Sequence, residues 1–183
     1  MRLLTPFACL LLLLVGCGGS YVVFEHHDAV DGCWKVTMDN NVLPSPPSTY
    51  VIQRVEFNAQ RSLSNLGDVS FQFIVEYFGT SWMNIRSGMS LFVFADGSQY
   101  QLSTRDLPQR EDVSSGRVSE MVVYDVTAEQ MAAICRAGGV RIRVMGTGSY
   151  IETELSDKNL ERLLDFCDQY VSTLPYGASA GGS

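Results

Sequence analysis

The sequence predicts an α+β domain: mainly an antiparallel sheet or sandwich of about eight strands, with two amphipathic helices packed on it. Three observations lead to this prediction. Short segments with an apolar residue at every second position recur along the chain, which is typical of half-buried strands. The dipeptide Asp96-Gly97, favoured in two-residue hairpin turns, separates two of these segments. Only two segments have apolar residues at helical spacing, and each follows a side chain that can cap a helix.

The N-terminal half of the domain is predicted to consist of strands joined by polar turns. Residues 69–78 show the clearest alternation, with polar Gln72 and Glu76 between aromatic and branched residues. Residues 58–68 are polar and predict a turn-like connection. Residues 25–28 hold both histidines and are interpreted as a solvated loop, because adjacent strand residues face opposite sides and would not share a metal. Strands are predicted at 21–24, 34–38, 50–57 and 69–78.

Residues 90–103 carry the strongest local signal, because Asp96-Gly97 fixes the register of the two strands beside it. In this register Phe92 and Phe94 share one face of the sheet, and the aliphatic residues share the other. We expect a helix or a second sheet to cover the two phenylalanines. The alternative is an exposed aromatic patch that receives a partner or an apolar ligand. The predicted pairs are Ala95–Ser98, Val93–Tyr100 and Leu91–Leu102 on one face, and Phe94–Gln99 and Phe92–Gln101 on the other.

The C-terminal half is predicted to combine strands with both helices. Residues 105–117 carry both charge signs and several turn residues, so we interpret them as an exposed loop. One helix is predicted to begin after Thr127, which forms a capping box with Gln130. The other is predicted from Ser156 to about Val171, with an apolar stripe at three- and four-residue spacing. Strands are predicted at 120–126, 140–144 and 149–155.

A basic cluster is unexpected in an otherwise acidic chain. Arg141 and Arg143 are two positions apart in a predicted strand and therefore lie on the same face of it, and Arg136 precedes them closely in the sequence. Such a cluster could bind a phosphate, a lipid headgroup or an acidic partner. The alternative is a solvated strand face whose charges pair with carboxylates. Together with the two phenylalanines, the cluster gives a candidate binding surface of Phe92, Phe94, Arg136, Arg141 and Arg143.

The N-terminus has the composition of a secretory signal. Arg2 is followed by an apolar run that ends in Leu14-Val15-Gly16-Cys17. The run from residue 3 to 15 has 13 residues, fewer than the roughly 17–25 that a helix needs to cross a bilayer. The alternative to an exported chain is an apolar start buried in a soluble protein.

The last four residues of this segment, Leu14 to Cys17, resemble the lipobox of bacterial lipoproteins. The resemblance covers residues 1–17 and implies cleavage before Cys17, which then carries diacylglycerol on its sulfur as the first residue. The next residue is Gly18 rather than aspartate, which among Gram-negative members of that family usually implies the outer membrane. The alternative is an ordinary secretory signal cut after Gly16 or Gly19.

Without residues 1–16 the chain keeps 12 basic against 20 acidic residues, a net charge of −8. This balance argues against nucleic acid as a partner and against electrostatic adhesion to anionic lipid. The length that remains fits one domain. The predicted organisation is a signal peptide at 1–16, a lipidated cysteine and short tether at 17–20, a single β-rich domain at 21–172 and a flexible tail at 173–183.

Three cysteines remain in the predicted domain: Cys33, Cys135 and Cys167. Export would place them in an oxidising compartment, where one disulfide is expected. We predict a Cys33–Cys167 pair, which would join the two ends of the domain. The cysteine spacing matches no zinc template, so no metal and no cofactor are predicted.

The sequence contains no motif for an activated nucleophile, a phosphate loop or a zinc hydrolase, so no catalytic residue is predicted. We therefore expect a non-catalytic accessory, scaffold or binding module, anchored to the membrane through lipid on Cys17. Its expected location is the cell envelope, at the outer membrane facing the periplasm, with an envelope protein as its partner. The alternative is an envelope hydrolase with a carboxylate-based site, for which the strand acids are Glu56, Glu76, Glu120 and Asp125.

Overall fold

The computed structural model describes residues 20–30, 32–45 and 54–171. The predicted signal peptide, Cys17 and the predicted tail at 173–183 lie outside these residues. In the described part of the chain, no helix has the length and apolarity needed to cross a membrane. The elements in chain order are β1 (Val22–Asp28), β2 (Cys33–Asp39), β3 (Arg54–Ser64), β4 (Val69–Gly79), β5 (Met89–Ala95), β6 (Ser98–Ser103), β7 (Gln109–Ser114), β8 (Arg117–Val126), α1 (Ala128–Cys135), β9 (Val140–Met145), β10 (Tyr150–Glu154) and α2 (Asp157–Tyr170).

The strands form two antiparallel sheets around one hydrophobic core. The larger sheet has the order β1-β2-β3-β4-β8-β7, and the smaller has the order β10-β9-β5-β6. Inward side chains of both sheets and both helices join one apolar cluster, in which Phe57, Phe73, Leu91 and Ile142 are fully buried. The structure is therefore a β-sandwich with two helices, which confirms the predicted, mainly antiparallel β architecture.

The described strands number ten rather than about eight, and the clearest difference is β7. It occupies much of the segment at 105–117 that was predicted to be a loop, and it pairs with β8. The connecting turn has positive φ angles at Ser115 and Gly116, 51° and 72°, as a two-residue hairpin turn requires. An edge strand is held by its backbone hydrogen bonds and can carry charged side chains, so β7 lacks the apolar alternation that was used to find strands.

Two other segments are more regular than predicted. β3 continues to Ser64 through residues interpreted as turn-like. β1 includes residues 25–28, which were interpreted as a solvated loop, so that interpretation is wrong. His26 and His27 pair with neighbouring positions of β2 and face opposite sides of the sheet.

The hairpin at Asp96-Gly97 confirms the predicted register. Asp96 and Gly97 have φ angles of 45° and 85°, so both turn residues adopt the left-handed conformation that this turn needs. β5 and β6 pair on either side of it, with Phe94 opposite Gln99 and Phe92 opposite Gln101.

Both helices begin at the predicted caps. Thr127 and Ser156 each accept a hydrogen bond from the backbone of the third helical residue, and the side chain of that residue bonds back to the cap. α2 is amphipathic, with Leu163, Phe166 and Cys167 buried on its inward face.

The disulfide joins Cys135 of α1 to Cys167 of α2, with a Cα–Cα distance of 6.4 Å. The predicted Cys33–Cys167 pair is therefore wrong. Cys135 and Cys167 both lie on the inward faces of helices that contact each other. Cys33 begins β2, between Asp28 of β1 and Ser64 of β3.

A buried carboxylate fixes the connection between β4 and β5. Glu120 of β8 is fully buried and accepts hydrogen bonds from the backbone amides of Asn84 and Ile85, each at 2.8 Å. Arg110 of β7 donates to the same carboxylate at 3.2 Å and to the Ile85 carbonyl at 3.1 Å. Ile85 also forms a bridge with Gly146, directly after β9. Glu120 therefore ties the larger sheet to the smaller one.

Candidate functional site

Four of the five residues of the predicted binding surface share one face of the smaller sheet. Phe92 and Phe94 come from β5, and Arg141 and Arg143 come from β9. The strand register places Phe94 beside Arg141 and Phe92 beside Arg143. The intervening residues of both strands, such as Val93, point inward and are buried. We call the side that carries the four residues the outer face.

Arginine side chains cover the aromatic rings of the outer face. The guanidinium carbon of Arg141 lies 4.7 Å from the ring centroid of Phe94, and that of Arg143 lies 5.9 Å from it. A cation at such a distance is attracted by the ring quadrupole. Phe92 and Phe94 remain half-buried. We expected a helix or a second sheet over them, but both helices bury their apolar side chains in the core on the inner side of the sheet.

Three further residues of the outer face were not predicted: Tyr150, Glu152 and Glu154 of β10. Glu152 accepts hydrogen bonds from Arg141 Nη1 at 3.2 Å and from Arg143 Nε at 2.5 Å. Tyr150 is 58% exposed, and its ring centroid lies 5.1 Å from the Arg143 guanidinium. The signal that could have found them is the alternation of residues 150–154, which puts Tyr150 and Glu152 on one strand face.

The electrostatics of the outer face are balanced. Glu152 pairs with both arginines, and exposed Glu154 lies opposite Arg141 in the register. Two arginines against two glutamates leave no net charge among these four side chains. This arrangement matches the alternative interpretation of the basic cluster, a strand face whose charges pair with carboxylates. It does not favour a phosphate or an anionic headgroup as the ligand.

Two shallow grooves border the outer face at Arg141. One has a volume of about 570 Å³ and lies between β10 and Pro44, whose carbonyl accepts a hydrogen bond from Thr153 Oγ1 at 2.9 Å. The other has a volume of about 710 Å³ and lies between the β5–β6 turn and the first turn of α2. The outer face therefore combines ring surface, hydrogen-bonding groups and adjoining concave edges.

Arg136 lies apart from the outer face. It is the C-cap residue of α1, and its guanidinium lies 3.9 Å from the carboxylate of Asp168 in α2. The structure therefore does not bring Arg136 together with Arg141 and Arg143, which were predicted to form one surface with it. Proximity in sequence was misleading because the turn after α1 separates this residue from β9.

The four strand acids considered for a hydrolase are not gathered in one cleft. Glu120 holds the β4–β5 connection, and Asp125 is exposed on β8. Only Glu56 and Glu76, among the four, occupy directly opposite positions on neighbouring strands, β3 and β4. None of the four lines either groove at Arg141.

The facing pair of glutamates is asymmetric. Glu56 accepts hydrogen bonds from the Asn40 amide and from Asn58 Nδ2, both at 3.2 Å, and forms an ion pair with Arg54. Burial raises the pKa of Glu76 above its usual value, and the charge of Glu56 raises it further. The two carboxyl groups thus differ in environment: Glu56 is held by an ion pair and hydrogen bonds, whereas Glu76 is partly desolvated.

We expect the substitution Glu76→Gln to stabilise the domain at neutral pH. The folded-state pKa of Glu76 is raised, so the unfolded chain ionises first as pH increases, and wild type loses stability as pH rises through the folded-state pKa. The substituted amide would keep the hydrogen bond from Ser119 Oγ without the charge. Urea unfolding between pH 4 and 8 checks this, with Glu161→Gln on the exposed side of α2 as the control. The free-energy difference between the Glu76→Gln variant and wild type should close toward the acid end, and a constant difference would contradict the assignment.

No metal site is formed by the described residues, which contain no group of three or more His, Cys, Asp or Glu side chains placed to hold an ion. No family model, no curated protein and no solved structure matches the chain. The candidate site therefore depends on the geometry of the outer face, and the lipobox resemblance at Cys17 remains a prediction.

Proposed function

We propose that this protein is a cell-envelope lipoprotein, anchored through lipid on Cys17, that acts as a non-catalytic binding module. The anchor is supported by the apolar run and by Leu14-Val15-Gly16-Cys17, which resemble a signal peptide and lipobox. The proposed location is the outer membrane, facing the periplasm. The binding role is carried by one observation: the outer face presents aromatic and arginine side chains, and no layer formed by the described residues covers it.

The composition of the outer face suits a protein partner. Arginine and aromatic side chains are enriched at the centres of protein interfaces, where they contribute most of the binding energy. Glu152 already orients Arg141 and Arg143, so little side-chain freedom would be lost on binding. The absence of net charge among the four charged side chains favours a partner that contacts rings and hydrogen-bonding groups over a strongly anionic one.

A carboxylate-based hydrolase is the second candidate, and the facing pair Glu56–Glu76 is the observation that favours it. An ion-paired carboxylate beside one with a raised pKa is an arrangement that acid–base catalysis uses. Against it, Glu56 is buried and already occupied by Arg54, Asn40 and Asn58. These contacts account for Glu56 as a structural group, so we favour the binding module.

Site-specific photo-crosslinking in intact cells tests the binding role. A photoreactive side chain in place of Gln101, which is exposed beside Phe92, should capture one envelope protein. Adding Arg143→Ala should reduce this capture about tenfold, because truncating an interface arginine costs at least about 1–2 kcal/mol. The same reagent in place of Glu161, exposed on α2, is the matched control. Identical products from both positions, or capture unchanged by Arg143→Ala, would contradict a binding role for the outer face.

A further inference from the structure

We infer that the β1–β2 hairpin lies along the lipid surface, with the strand edge of β1 in the headgroup layer. This inference rests on the proposed function, because it takes Cys17 as the lipid attachment point. It adds a second contact to the membrane, made by the folded domain itself, and it fixes which edge of the larger sheet faces the bilayer.

The predicted tether has a short reach. Three residues, 18–20, separate Cys17 from Tyr21, and such a segment spans on the order of 10 Å. Tyr21 is already part of the folded domain: its hydroxyl donates to the Arg162 carbonyl of α2 at 3.4 Å, and the Arg162 guanidinium lies 4.6 Å from its ring centroid. The start of β1 must therefore stay close to the bilayer.

Exposed apolar side chains are concentrated in the β1–β2 hairpin. In the described part of the chain, twelve large apolar side chains are exposed, and four of them come from the hairpin between residues 22 and 34. Their exposed fractions are 41% for Val22, 43% for Phe24, 94% for Val30 and 56% for Trp34. This concentration directly follows the predicted anchor.

These side chains lie on both sides and at both ends of the hairpin. Val22 and Phe24 lie at the tether end of β1, whereas Val30 lies in the turn at its far end, about 20 Å away for a strand of seven residues. Trp34 faces the opposite side of the hairpin from Phe24, because it pairs with His27 and Phe24 pairs with Thr37. A membrane is a flat surface, and a hairpin that lay on one of its faces would turn the apolar side chains of the other face away from it. Side chains on both faces and at both ends reach the membrane together only if the long edge of the hairpin, β1, lies along it.

The backbone edge of β1 suits the headgroup layer. β1 is the outermost described strand of the larger sheet, so none of the described strands pairs with one side of its backbone. Such groups need hydrogen-bond partners, which the hydrated headgroup layer supplies and the hydrocarbon core does not. Tryptophan favours the same layer. The other element beside Tyr21, α2, exposes the carboxylates of Glu161, Asp165 and Asp168, whereas β1 exposes one, Glu25, so anionic lipid would repel α2 more strongly.

Fluorescence quenching by lipids with nitroxide-labelled headgroups tests this orientation. The acylated protein carries Cys33→Ser in every sample, and a single added cysteine takes an environment-sensitive dye. The reporter positions are Phe24→Cys and Val30→Cys. The matched control is Val113→Cys, an exposed position on β7 at the opposite edge of the same sheet, about 24 Å away across five strand spacings. The vesicles contain phosphatidylethanolamine and phosphatidylglycerol.

The expected result is loss of emission at positions 24 and 30 and unchanged emission at position 113. Quenching at position 24 alone would overturn the inference, because the hairpin would then stand away from the membrane. Dye that is shielded from water but not quenched would also overturn it, since a second copy or a protein partner would cover the edge. Intact mass separates the two claims: protein without acyl groups contradicts the proposed function, whereas acylated protein without quenching contradicts only this inference.

Discussion

Replacing Glu120 by glutamine is expected to lower the free energy of unfolding by about 3 kcal/mol. The carboxylate is fully buried and accepts from two backbone amides and from Arg110. Glutamine has only one acceptor oxygen, so its side-chain NH2 group would replace the other carboxylate oxygen. This NH2 group would face a backbone amide that is itself a donor, and a buried polar group would be left unsatisfied. The charge of Arg110 would lose its partner in the same step.

Urea unfolding at neutral pH measures this effect, with Glu111→Gln as the matched control. Glu111 is exposed on β7, the strand that also carries Arg110, and its replacement should change stability by less than about 0.5 kcal/mol. A Glu120→Gln variant as stable as the control would contradict the role assigned to this carboxylate. If that role is correct, one of the amides of residues 84 and 85 should also exchange hydrogen faster in the Glu120→Gln variant, because each bonds to a different carboxylate oxygen and glutamine keeps only one.

Removing the disulfide with Cys135→Ala and Cys167→Ala is expected to lower stability by about 3–4 kcal/mol. The bond closes a loop with a sequence separation of 32 residues. Closing a loop of this size lowers the entropy of the unfolded chain, and the loss raises the free energy of the unfolded state by about the same 3–4 kcal/mol. The two helices are also the only described ones, and their inward faces contribute Met131, Ile134, Leu163 and Phe166 to the core. Loosening one helix from the other therefore exposes apolar surface.

Denaturant unfolding with and without reductant measures the disulfide contribution. Wild type should lose stability on reduction, whereas the double alanine variant should not respond. Cys33→Ala is the control and should keep the response of wild type, since Cys33 is not part of this bond. If the Cys33→Ala variant no longer responded to reductant, the result would support the Cys33–Cys167 pair that the sequence predicted.

Features set by neighbouring residues were predictable from the sequence. The Asp96-Gly97 register and the capping box at Thr127 depend on residues within four positions of each other, and both are confirmed. Alternation also predicted that Phe92 and Phe94 share one face of their strand, and that Arg141 and Arg143 share one face of theirs. The pairing of β5 with β9 puts all four side chains on the same face of the sheet, and local sequence patterns do not encode this pairing.

Features set by long-range pairing were not predictable. β7 is an edge strand of mostly polar residues, so its backbone pairing leaves no apolar alternation in the sequence. The partner of Cys167 depends on how α1 and α2 pack, and the spacing of cysteines does not reveal it. Glu152 joined the site only because β10 returns beside β9 with Glu152 opposite Arg143.

Intact-mass analysis of the native protein, extracted from membranes with detergent, tests the central claim most directly. The lipobox resemblance predicts a chain that begins at Cys17 and carries the added mass of acyl chains, and a Cys17→Ser variant that lacks this mass and keeps its signal segment. An unmodified chain, or one that begins at any other residue, would contradict the proposed anchor.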